Sequence, residues 1–482
     1  MRFWLSITAC MLTGCEGEFG SDFIWGTATA GFQVDMGCPT LPDANCIDSN
    51  SDWYQFVTTE ENIENSSLFI AGDPVSIGPG MWETFEEDVE RMESDGLTGY
   101  RMSIEWSRIF PDGAAEEATT VEELSEYANT DAVARYREMF AALNDAEIHP
   151  MVTLNHYTLP LWVHDGNSCQ EDPLACEASG WVNGERIVRL ISLYAEYCGV
   201  VFGDQIDDWM TLNEPFATML SGYLLPGESR SAPPGVFNDT EAGIAVMINQ
   251  IEGHAGMYDA VHAGDNTDAD GDGVDATVGI VLNMVAITPK DPNNEDDVLG
   301  VEHVDYLYHG LYLNALTSGD WDDDLDGVPD RTREDLANRI DVIGINYYNQ
   351  LTIMGLPIAL IENLPISDFY PEFSWDPYTD GLAEVIERAS VYNLPMVITE
   401  NGTPSVENGV EILDGHLTSL RGAIEGGADV RGYYYWSFVD NYEWNHGMDM
   451  QFGLYELNTE TKERTARPVL ERYREIIRRG KL

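Results

Sequence analysis

The chain has 482 residues, of which 85 are Asp or Glu and 24 are Lys or Arg, and the resulting net charge of -61 excludes binding to a nucleic-acid backbone. A 44% hydrophobic and 11% aromatic composition excludes a disordered chain, and the length suits one large α/β domain with insertions. A surface this acidic repels itself, so screening salt or bound divalent cations are expected to stabilise it.

The first fifteen residues, MRFWLSITACMLTGC, hold one early positive charge at Arg2, an apolar run from Phe3 to Leu12, and then Leu-Thr-Gly-Cys. This reads as an export signal ending in a bacterial lipobox-like tetrapeptide. Residues 1–15 are therefore expected to be a signal peptide, residues 16–482 the folded domain, and Cys15 the site of a lipid anchor. The expected location is the periplasm or cell surface, as a lipoprotein, or the exterior. The apolar run is too short to span a bilayer.

After the signal, short β-rich apolar runs alternate with longer amphipathic stretches. The runs cover 23–30 (FIWGTATA), 98–106, 148–156, 206–214, 277–285, 341–348, 395–401 and 430–438. Between them lie helical patterns such as TFEEDVERMESD (84–95) and DAVARYREMFAALNDA (131–146). Eight strands joined by helical crossovers predict an α/β fold, a single (β/α)8 TIM barrel with loop insertions at its C-terminal face.

Among the connections, Cys38 with Cys46 and Cys169 with Cys176 suit small disulfide-closed loops, whereas Cys198 lies in an apolar helical run and reads as a buried thiol. Two acidic loops read as Ca²⁺ sites. In DDDLDGVPD, Asp322, Asp324, Asp326 and Asp330 follow a DxDxDGxxD spacing that turns side-chain oxygens inward, with Gly327 at the bend. DADGDGVD offers Asp268, Asp270, Asp272 and Asp275 in a looser pattern. Both loops precede strands, so any calcium there is structural, and no cofactor is expected for catalysis.

Barrel enzymes place function where strands finish. Gln33, Arg101, Asn155, His156, Asn213, Glu214, Asn346, Tyr348, Glu400 and Trp436 stand at or near those ends. Glycoside hydrolysis needs two carboxyl groups across one bond, one to protonate the leaving oxygen and one to attack or to activate water. TLNEPF ends strand four with Glu214, and VITENG ends strand seven with Glu400, nearly opposite across the mouth. A gap of about 5 to 5.5 Å between them predicts retention of configuration. Arg101, Tyr348 and Asn346 are expected to support Glu400 as nucleophile, and the charge of Glu400 is expected to keep a proton on Glu214.

These segments, with GFQVDMG, YRMSIEWSRIFPDG, VTLNHYTLPLWV, DVIGINYYN and YYWSFVDNYEWNHGMDMQFGLYELN, resemble glycoside hydrolase family 1, the β-glucosidase and β-galactosidase group, and its archaeal-type branch most of all. The resemblance runs from about Phe23 to the C-terminus. It implies a retaining, exo-acting β-glycosidase that releases glucose, galactose or fucose from oligosaccharides or aryl and alkyl glycosides. It also implies that Gln33, His156, Asn213, Glu443 and Trp444 bind the glycone hydroxyls, Trp436 lies beneath the sugar, and Trp375 stacks on the aglycone. Two residues depart from the family pattern: Tyr157 stands where tryptophan or phenylalanine is usual, and Asp35 where glutamate is.

The expected partner is a small carbohydrate, and oligomeric state is left open. Transglycosylation through the same intermediate is an alternative. So is a silent sugar-binding lipoprotein, which the presence of both glutamates opposes.

Overall fold

The computed structural model describes residues 19, 20, 22–355, 370–374 and 377–482, so the expected signal peptide, Cys15 and Trp375 lie outside the described residues. Eight parallel strands close a barrel: β1 (Ile24–Ala28), β2 (Gly99–Ser103), β3 (His149–Asn155), β4 (Asp208–Asn213), β5 (Thr277–Asn283), β6 (Val342–Tyr347), β7 (Met396–Asn401) and β8 (Val430–Trp436). Closure is made by β1 against β8, with Ala28 beside Trp436 on one edge and Arg101 on the other. The expected fold is the observed one.

Each strand is followed by a helix on the outside: α1 (Met81–Asp95), α2 (Thr130–Asp145), α3 (Gly184–Phe202), α4 (Thr240–Gly264), α5 (Leu311–Ser318), α6 (Gly381–Ser390), α7 (Gly409–Glu425) and α8 (Pro468–Arg479). Local sequence sets their starts. Asn129, Asn183 and Asp239 accept backbone N–H bonds as side-chain caps of α2, α3 and α4, and Pro468 opens α8 where no N–H is needed. Almost every barrel residue is buried, because helices cover one face and packed side chains fill the other. Met151, Met210, Val281, Val397 and Tyr434 fill the interior below the mouth. Tyr434 fits only because its neighbours Gly26 and Gly99 carry no Cβ.

The chain spends its insertions at the strands' C-terminal ends, in segments 29–80, 156–183, 214–239 and 437–467. Two of them are pinned by the disulfides Cys38–Cys46 and Cys169–Cys176, while Cys198 is free and buried. Among the described residues no helix is long and apolar enough to cross a membrane.

The acidic loops sit at the opposite end, and their carboxylates group differently from the spacing-based expectation. Asp322, Asp324 and Asp326 bring ligand-type oxygens within 4.8 Å of one another, but Asp330 is not among them. Its carboxylate instead accepts the Asp323 N–H, at 2.8 Å. In the first loop the group is Asp268, Asp270 and Asp207, without Asp272 or Asp275. Asp272 is turned away to accept the Val274 N–H. Asp207 enters from the chain just before β4, a place no loop motif could reveal.

Candidate active site

Two β-bulges lie where the paired glutamates emerge. The β6–β7 register shifts between Ile398 and Glu400, and the β4–β5 register shifts between Met210 and Asn213. Such slips re-aim a side chain at a barrel rim. Glu214 then takes a left-handed backbone (φ 47°) ahead of Pro215, whose ring disfavours the right-handed helical region for the residue before it. Tyr157 and Trp444 also hold positive φ, at 70° and 53°. Bulky residues rarely adopt this region, and strain of this kind gathers where side chains must be presented to a site.

Glu214 and Glu400 open into one cleft, shared with His156, Asn213, Tyr348 and Trp436. Arg101 binds one side of it from β2. Its guanidinium donates to Glu400 Oε1 at 2.6 Å, Asn213 Oδ1 at 2.7 Å and Thr153 Oγ1 at 3.0 Å. Tyr348 donates to the other oxygen of Glu400, at 2.7 Å. Glu400 is thus held by one cation and one phenol, as expected. Burial pushes its carboxyl up to about 7, Arg101 opposes that push, and Glu214 adds to it. The repulsion between the two carboxylates expected from the sequence is thus present, alongside the loss of hydration at Glu400.

Asn346 behaves differently from expectation. It stands opposite Glu400 in the strand register, yet its Nδ2 donates to Glu214 Oε1 at 2.8 Å and Asn213 Oδ1 at 3.1 Å. The Thr399 hydroxyl donates to Asn346 Oδ1 at 2.7 Å, which orients the amide that way. Asn346 therefore supports Glu214, not Glu400. A continuous chain of polar contacts results, running Glu400, Arg101, Asn213, Asn346, Glu214.

The segment after β8 closes one end of the cleft. Glu443 accepts from Gln33 Nε2 at 2.9 Å and from Arg230 at 3.1 Å, while Gln33 also donates to Asn441. Gln33 Oε1 and His156 Nδ1 are buried and have no hydrogen-bond partner among the described residues. Unmet buried polar atoms are costly, and two of them beside the cleft suit ligand hydroxyls. Burial, with Arg101 and Arg230 nearby, lowers the His156 proton affinity well below the usual range, so the ring is neutral. Trp436 and Trp444 stack against the His156 ring at 5.9 Å each, and Trp53 packs on Trp444 at 4.5 Å.

Two contacts had no counterpart in the sequence reading. Tyr157 donates directly to Glu214 Oε2, and Arg230, from the loop after β4, donates to the Tyr157 oxygen at 3.1 Å. Asp35, the other departure, pairs with Arg108 at 3.1 Å, outside the cleft lining.

The sequence profile of Glycosyl hydrolase family 1 matches residues 15–482. A β-galactosidase of Pyrococcus woesei is 33% identical over 507 aligned residues, covering 95% of this chain and 97% of its own. A β-galactosidase of Saccharolobus solfataricus is 31% identical over 501 residues and 96% of each chain. The solved β-glycosidase of the hyperthermophile Thermosphaera aggregans superposes with a TM-score of 0.83 at 26% identity, over 96% of this chain and 98% of that one.

Proposed function

The chain belongs to glycosyl hydrolase family 1 and is a β-glycosidase, and from that premise we propose that it is exo-acting and retaining, with Glu400 as nucleophile and Glu214 as acid and base. The observation that carries this is the polar chain through Arg101, Asn213 and Asn346 that ties both carboxylates to one cleft.

In the first step Glu400 attacks the anomeric carbon while Glu214 gives its proton to the departing glycosidic oxygen, leaving a glycosyl ester on Glu400. Water then gives a proton to Glu214 and attacks the same carbon, and Glu400 leaves as a carboxylate. Arg101 and Tyr348 favour the charged form of Glu400 before the first step and after the second. Asn213 accepts two hydrogen bonds at its oxygen, and its amide N–H groups, which make none among the described residues, suit the sugar 2-hydroxyl. Gln33, His156, Glu443 and Trp444 take the remaining hydroxyls over the Trp436 ring. Their burial closes the cleft at the glycone end, which supports attack on terminal residues only.

The substrate class we assign is terminal β-linked glucose, galactose or fucose; the relatives' being β-galactosidases supports galactose, and Glu443, as a hydrogen-bond acceptor, suits the hydroxyls of all three. The test is a panel of p-nitrophenyl β-glycosides with wild type and Glu400→Gln. Wild type is expected to release the β-anomer first, and Glu400→Gln to lose roughly 10⁴-fold or more in kcat. A first-formed α-anomer, or a variant within tenfold of wild type, overturns the assignment. Export with a lipid on Cys15 belongs to the same proposal; metabolic labelling of wild type but not of Cys15→Ser is the expected result.

A further inference from the structure

We propose that Tyr157 and Arg230 form a positioning pair that turns a phenolic O–H onto Glu214 and so assists its loss of a proton to the leaving group. This rests on the assignment of Glu214 as the acid.

With Glu214 as a carboxylate, which has no proton to give, the geometry admits one arrangement of protons. Arg230 Nη1 reaches the Tyr157 oxygen at 3.1 Å, and a guanidinium has donors only. The phenol oxygen accepts that bond, and its single proton turns to Glu214 Oε2, its partner on the other side. Burial and the charge of Glu214 hold the phenol well above its ordinary range, so it stays a donor. Glu214 therefore accepts from Tyr157 on one oxygen and from Asn346 on the other, at 2.8 Å. Both bonds strengthen as the carboxyl becomes a carboxylate, which is the change that proton transfer to the glycosidic oxygen brings.

Packing fixes the ring independently of the hydroxyl. Tyr157 stands edge-on to Trp444 at 4.8 Å and tilted against Trp53 at 6.4 Å. Arg230 is held at its far end by Glu443, at 3.1 Å, which links the glycone-facing carboxylate to the proton donor. The other charged and titratable groups around Glu214 are Glu400, Glu443, Tyr348 and Tyr308. None of these four donates to Glu214 Oε2. The departure from tryptophan or phenylalanine at position 157 is thus an added hydroxyl with a specific partner.

The test is the dependence of rate on leaving group. Substrates with alkyl or sugar aglycones need a proton from the acid, whereas dinitrophenolate departs without one. Tyr157→Phe keeps the ring and its packing. The expected result is a fall in kcat/KM for alkyl glucosides about tenfold larger than its fall for 2,4-dinitrophenyl glucoside, the size of one charge-assisted hydrogen bond. Arg230→Met is expected to show the same dependence more weakly, with a raised KM because Glu443 loses a partner. An equal fall on both substrates, or no fall, overturns the pair's role. Glu214→Gln is measured alongside. Retention of its alkyl-glucoside activity refutes Glu214 as the acid; loss of that activity, with no leaving-group dependence in Tyr157→Phe, refutes the positioning pair alone.

Discussion

Arg101 and Glu400 meet at 2.6 Å with the guanidinium fully and the carboxylate almost fully shut off from solvent, at 0% and 4% exposure. Two ions stripped of water are stable only together, and removing one leaves the other uncompensated. The pair is therefore both a device for charge placement and a structural dependency at the barrel mouth.

Arg101→Met is expected to lower stability by about 3 to 5 kcal/mol, the cost of an unpaired buried carboxylate. Adding Glu400→Gln to that variant removes the orphaned charge, so the double variant should recover most of the loss. Urea unfolding of the two singles and the double measures this. A single variant as stable as wild type, or a double less stable than Arg101→Met, contradicts it.

Glu105, just beyond the end of β2, predicts a pH dependence of folding separate from activity. Burial pushes its carboxyl from 4.5 up to about 7, with Thr158 opposing and Asp35 adding to the rise. Between those values the folded state holds a proton that the unfolded state has released. The group's contribution is complete below the lower value and is lost as pH rises through the upper one. Glu105→Gln is neutral in both states. Melting temperature followed from pH 4.5 to 8.5 should fall less steeply in the variant than in wild type; identical slopes refute the point.

Ionic strength tests the surface. With 85 acidic against 24 basic side chains, repulsion outnumbers the exposed ion pairs that salt weakens. The Debye length shrinks from about 10 Å at 0.1 M to about 3 Å at 1 M. Melting temperature is expected to rise steadily across that range of NaCl. A flat or falling curve rejects repulsion as a significant term.

What the sequence revealed and what it hid follow from the range of the interactions involved. All eight barrel strands were legible because each is a short buried run between amphipathic stretches, a pattern that local chemistry imposes. Glu214 and Glu400 were legible because they finish such runs. Arg230 was not, since it comes from an irregular loop and acquires meaning only when the fold carries it to Tyr157 and Glu443. Asn346 was assigned to the wrong glutamate because no pattern in the sequence tells where an amide points; it stands opposite Glu400 in the register, but the Thr399 hydroxyl turns its amide across to β4. Asp207 lies outside the loop whose cluster it completes, so spacing within that loop could not find it. Only position 157 carried a signal, a tyrosine among expected tryptophans and phenylalanines, and the fold gives its hydroxyl a partner in Glu214.

The left-handed backbone at Tyr157, Glu214 and Trp444 has a practical consequence for anyone breeding a hardier version of this barrel. Glycine at Glu214 would relax the main chain and remove a carboxylate that repels Glu400, whereas at Tyr157 or Trp444 it would empty a buried aromatic site at a cost of about 3 to 5 kcal/mol, more than the strain relieved. A screen that rewards surviving heat alone should therefore erode the acid and base position first and drift toward robust but idle protein.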